Sequence, residues 1–74
     1  SAKRTDIPKV SSSISYTVST TAPASHLLFN ALPNTQYKIT RDNYTFTVVS
    51  NEIGVIKFED SKVGANIKYS IEGE

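Results

Sequence analysis

The sequence predicts an all-β fold, a small antiparallel β-sandwich of about six to seven short strands. Apolar residues recur at every second position in successive runs, as in Ile14, Tyr16, Val18 and again in Ile67, Tyr69, Ile71. That period places one face of each run in a core and the other in water. Turn-forming residues interrupt the runs at roughly the 8 to 12 residue spacing of a sandwich or small barrel, and no stretch has a helical period.

Residues 1–10 carry Lys3, Arg4, Asp6, Pro8 and Lys9 with little apolar content, so they read as a linker or flexible arm that buries too little surface to offset its ordering. Residues 11–74 read as a single domain. Its first strand is the alternating run from Ser11 to Thr20, and Pro23 then denies a ladder donor. The second strand is expected from His26 to Asn30. The doublet Leu27-Leu28 leaves its facing open: either Leu27 and Phe29 turn inward with Leu32, or Leu28 does so with Ala31. His26, at the start of this strand, reads as a surface or rim residue.

Ala31 to Tyr37, Ala-Leu-Pro-Asn-Thr-Gln-Tyr, is a corner between strands. Its Pro33-Asn34 pair favours a sharp reversal, and Tyr37 can lay its ring in the core while its hydroxyl reaches back to corner backbone. Beyond it Tyr37 and Ile39 face inward and Lys38 and Thr40 outward. Asp42-Asn43 supplies hairpin-turn chemistry, since both residues tolerate a positive φ. Tyr44 to Ser50 is the next strand, with Tyr44, Phe46 and Val48 opposite Thr45, Thr47 and Val49. A turn through Gly54 leads to Val55–Glu59, with Ile56 and Phe58 inward. Asp60 to Ala65 reads as a loop and Asn66 to Glu72 as the closing strand. Lys38, Lys57 and Lys68 fit the usual guarding of strand faces against further pairing.

Composition excludes several chemistries. The chain has 74 residues, no Cys and one His, so a disulfide framework, a thiolate metal site or a two-His metal site cannot be built from it alone. A chain of this length hides on folding roughly 60% of what it exposes unfolded, which leaves little room for a cleft holding paired carboxylates. Eight Lys/Arg are interspersed with seven Asp/Glu for a net charge of +1, without the basic patch that nucleic acid requires. No apolar run approaches the about 20 residues of a membrane-spanning helix. The absence of an initiating Met, or of any Met, suggests either a processed product or a domain of a larger protein. No catalytic residue, cofactor or metal ligand is assigned.

Leu32-Pro33-Asn34-Thr35-Gln36-Tyr37, with strands on both sides, resembles the corner of fibronectin type III-like modules, commonly Leu-x-Pro-x-Thr-x-Tyr. The downstream run Thr47 to Phe58 is similar to the closing hairpin of small Ig-like or fibronectin-like β-sandwiches appended to secreted bacterial polysaccharide-degrading enzymes. Aligned on Pro33 and Tyr37, the family's leucine falls on Ala31, and the chain is shorter than the roughly 100 residues of an Ig domain. The resemblance implies a secreted or cell-surface, non-catalytic structural or accessory domain. Its expected partners are a neighbouring domain of the same parent protein, a polysaccharide or a protein surface, and Leu32, Pro33 and Tyr37 form the structural corner. The alternative is an adhesion module that binds carbohydrate or protein through its loops or an edge strand.

Tyr44, beside Asp42 and Asn43 at a hairpin tip, is the one aromatic placed to act as a stacking platform for a saccharide, competing with a role as a strand-end ring over the core rim. Glu59-Asp60 and Asp42-Asn43 are oxygen-rich pairs of the kind Ca²⁺ uses, but each has too few ligands, so a turn or solvated-face role is expected. Asn43-Tyr44-Thr45 matches an N-glycosylation acceptor, a triplet common by chance.

Overall fold

A computed structural model describes residues 2–6, by backbone alone, and residues 13–73. They form seven strands and no helix: β1 (Ala2–Asp6), β2 (Ile14–Thr20), β3 (Ala24–Phe29), β4 (Gln36–Arg41), β5 (Tyr44–Val49), β6 (Ile56–Asp60) and β7 (Gly64–Gly73). A three-stranded sheet runs in the order β1-β3-β6 and a four-stranded sheet in the order β2-β7-β4-β5. The pairings are antiparallel except that of β1 with β3, which is parallel. That exception corrects the expectation of purely antiparallel sheets.

Two further expectations change. Within the stretch expected to be a linker, Ala2–Asp6 pairs along β3 from Ala2 opposite Ser25 to Asp6 opposite Phe29. An edge strand of this kind is held through its backbone, so its poverty in apolar side chains is no obstacle. The remainder of that stretch lies outside the described residues. Second, β7 begins at Gly64, two residues before the expected start. Thr20 pairs Gly64 while Val18 pairs Ile67, so β7 carries an extra residue opposite β2. Asn66 absorbs the resulting bulge at φ 56, and its N–H donates to Ser19 Oγ at 2.9 Å.

The core draws on both sheets. Leu28, Ile56 and Phe58 come from the smaller sheet, and Val18, Tyr37, Ile39, Ile67, Tyr69 and Ile71 from the larger. The ambiguity of the leucine doublet resolves to Leu28 with Ala31, both fully buried, while Leu32 is 39% exposed.

The strand directions give the molecule two distinct poles. β3 leads from one pole to the corner at the other, and β4 returns from the corner to the Asp42-Asn43 turn, where Asp42 has φ 52. The corner pole therefore holds residues 30–36 and 50–55. The opposite pole, called the groove pole below, holds the β2–β3, β4–β5 and β6–β7 connections.

Candidate functional site

The corner pole is closed by hydrogen bonds onto backbone. Tyr37 is buried and its hydroxyl accepts from the Leu32 N–H at 2.8 Å. Ser50, also buried, accepts from the Thr35 N–H at 2.9 Å and donates to the Leu32 carbonyl at 2.5 Å. Asn51 Oδ1 accepts from the N–H groups of Ile53 and Val55 at 3.0 and 2.9 Å and so shapes the turn. Gly54 sits there at φ 81, and a Cβ on it would lie 2.3 Å from the Ala31 carbonyl oxygen. Only glycine lets the two backbones approach that closely, with the Ala31 N–H donating to the Gly54 carbonyl at 3.0 Å.

Nearer the groove pole the two sheets are joined by polar side chains inside the core. His26 is 2% exposed, which corrects the expectation of a surface or rim position. β3 begins at Ala24, so His26 shares the inward phase of Leu28. Its ring stacks on Phe58 at 4.5 Å and 11°, and tilts against Tyr69 at 4.6 Å. Across the sheets, the Tyr16 hydroxyl and His26 Nδ1 share a 2.9 Å hydrogen bond, and Tyr16 stacks on Tyr69 at 5.4 Å. Burial pushes the Tyr16 hydroxyl well above the ordinary tyrosine range.

Asp60, the last residue of β6, is 8% exposed, so the solvated-face reading of Glu59-Asp60 fails for its second member. The carboxylate receives a forked pair of bonds from Arg41 of β4, Nε to Oδ2 at 2.5 Å and Nη2 to Oδ1 at 2.9 Å. Tyr69 of β7 donates to Oδ2 at 2.7 Å, and the Lys62 N–H approaches Oδ1 at 3.4 Å. One carboxylate on the smaller sheet thus gathers donors from two strands of the larger. The Arg41 bonds, helped by Tyr69, hold the Asp60 carboxyl down at about 2 against the desolvation that opposes them. Burial, and with it the hydrogen bond to Asp60, raises the Tyr69 hydroxyl above its usual range.

Outside this clamp lies an open groove of about 660 Å³, lined by Pro23, Ala24 and Ser25 on one side, Arg41, Tyr44 and Phe46 on another, and Glu59, Asp60 and Ser61. Tyr44 is 54% exposed. Its ring lies 5.0 Å from the Arg41 guanidinium carbon and 5.5 Å from the ring of half-buried Phe46. Of the three residues singled out as a ligand platform, Tyr44 lines the groove. Asp42 and Asn43 do not; Asp42 instead faces Lys62 at 3.6 Å and Arg41 at 3.9 Å.

Sequence reasoning missed Arg41, Glu59, Ser25 and Ser61 as groove residues. The β3–β6 register sets Ser25 beside Glu59 and the β4–β5 register sets Arg41 beside Tyr44. The packing of one sheet on the other brings the two pairs to one groove, which no local pattern announces. Among the described residues no group of three or more His, Asp or Glu is placed to hold a metal ion. No helix among them is long and apolar enough to cross a membrane. No protein-family model matches the sequence, and neither the curated proteins nor the solved structures offer a significant match.

Proposed function

We propose that the chain is a non-catalytic accessory domain of a larger secreted bacterial protein, a β-sandwich of the Ig-like or fibronectin type III-like kind that acts as a stiff spacer or docking module between neighbours. The observation that carries this reading is the placement of its terminal strands. β1 enters at the groove pole, where Ala2 lies beside Ser25, and β7 leaves at the corner pole, where Gly73 lies beside Tyr37. Neighbours joined to the two ends would be held apart at opposite poles of a body measuring 31 × 23 × 17 Å.

Such a path also loads the terminal strands favourably. Tension between the ends draws β1 along its own axis past β3, and β7 along its axis between β2 and β4. The backbone bonds of each ladder then share the load at once instead of parting one pair at a time. The polar groups of the core fit the same role: His26 with Tyr16, and Asp60 with Arg41 and Tyr69, tie one layer to the other. The secreted bacterial setting rests on the resemblance of the Pro33 to Tyr37 corner and the Thr47 to Phe58 run.

The test is single-molecule pulling of the chain between handles. Attachment at the two ends should give one abrupt rupture at a force clearly above that found when the handles join residue 2 and residue 42, which share a pole. Stepwise, low-force peeling from the two ends would overturn the spacer reading.

A further inference from the structure

We infer that the groove between Tyr44 and Glu59 is a binding site for a neutral saccharide, a role separate from the spacing function and independent of it. Its volume of about 660 Å³ falls within the roughly 300–1,000 Å³ typical of small-molecule sites. An exposed Tyr44 and half-buried Phe46 supply an aromatic wall, faced by Pro23 and Ala24. A pyranose ring presents that kind of surface with its C–H face, and its rim of hydroxyls needs donors and acceptors together.

The groove offers both. Arg41 commits Nε and Nη2 to Asp60, while its Nη1 stands 3.9 Å from Asp42, beyond hydrogen-bond length, and retains donor capacity. Glu59 is exposed and receives a long 3.4 Å bond from Ser25. Its carboxylate is an acceptor at the mouth, and the hydroxyls of Ser25 and Ser61 can serve in either sense.

Charge in the groove is largely matched internally: Arg41 is bonded to Asp60, which leaves the lining with the charge of the exposed Glu59. An anion drawn to Arg41 meets the carboxylates of Asp60 and Glu59. A cation gains little from a carboxylate that stays in water, and the Tyr44 ring already lies against the Arg41 guanidinium. A neutral polyhydroxyl ligand meets no repulsion and can use Glu59 as an acceptor. The Arg41–Asp60 pair also fixes this wall of the site before any ligand arrives, so little ordering is left to oppose binding.

The test is amide chemical-shift mapping of the isotope-labelled chain titrated with neutral hexasaccharides of β-linked glucose, α-linked glucose and β-linked xylose, and separately with arginine amide and inorganic phosphate. The inference expects saturable shifts at Ser25, Tyr44, Glu59 and Ser61 with at least one hexasaccharide. Tyr44→Ala should weaken that binding about tenfold or more, and Glu59→Gln should weaken it while leaving the remaining amide spectrum folded. No shift at these residues with any hexasaccharide, shifts that survive Tyr44→Ala unchanged, or response to arginine amide or phosphate alone would each overturn it.

Discussion

The two poles of this small domain are closed by different means. At the corner pole, Tyr37, Ser50 and Asn51 direct their side chains onto backbone N–H and carbonyl groups within the same pair of connections. At the groove pole, Asp60 of one sheet is held by Arg41 and Tyr69 of the other. The first device fixes the path of the chain locally. The second fixes one layer against the other, and an open groove lies beside it. A closed corner and a clamped but open end suit a body whose terminal strands leave from opposite poles.

The contrast can be broken from either side. The largest effect is expected from Gly54→Ala at the corner pole. The added Cβ would fall 2.3 Å from the Ala31 carbonyl oxygen on a residue at φ 81, and the chain must shift. A loss of about 3–4 kcal/mol should appear as a lower denaturant midpoint. A midpoint within the range of an exposed control substitution would show that the close approach is not needed.

Next, Asp60→Asn should cost about 3 kcal/mol, because the half-buried Arg41 keeps its charge while losing its carboxylate. The pH dependence follows from the same group. The Asp60 carboxyl is held at about 2 in the folded protein, below its ordinary 3.8. Its contribution is fully present above 3.8 and is lost as pH falls from there through about 2, an upper bound of about 2 kcal/mol that solvent screening at the open groove reduces. Unfolding midpoints measured between pH 6 and 2 should show that loss in the parent sequence and much less of it in Asp60→Asn. Equal acid sensitivity in the two would assign the titration elsewhere.

The smallest of these effects belongs to Tyr37→Phe. It removes the hydroxyl that accepts the Leu32 N–H while keeping the buried ring, and should cost on the order of 1 kcal/mol. An unchanged midpoint would mean that the bond merely accompanies the corner.

The same division explains what could be read from the sequence. The alternation of Ile14, Tyr16, Val18 and of Ile67, Tyr69, Ile71 identifies two strands without reference to anything distant, and Gly54 identifies its own turn. The corner is legible because Pro33, Asn34 and Tyr37 act within a few residues of one another. His26 was not legible. With Leu27 and Leu28 adjacent, the phase of β3 depends on where the strand begins, and that is set by its pairing with Asp60 and Phe58 on β6. Asp60 was hidden for the same reason. Beside Glu59 it looks like one of two exposed carboxylates, and only the meeting of the sheets makes it an inner ion-pair partner. The pairing of Ala2–Asp6 is a third case, because backbone pairing at an edge leaves little trace in side-chain pattern. Of the candidate platform, the exposed ring of Tyr44 was foreseeable from its place at a hairpin tip. Its groove partners on β3 and β6 arrive through long-range register.

A double-mutant cycle on Arg41→Met and Asp60→Leu tests most directly that the groove pole is held by one clamp between the sheets. Each single change should destabilise the fold by about 3 kcal/mol through the unpaired charge or lost partner it leaves, while the double variant should cost little more than either, a coupling of about 2–3 kcal/mol. Losses that add to within about 0.5 kcal/mol would mean that Arg41 and Asp60 act separately, and the clamp would be contradicted.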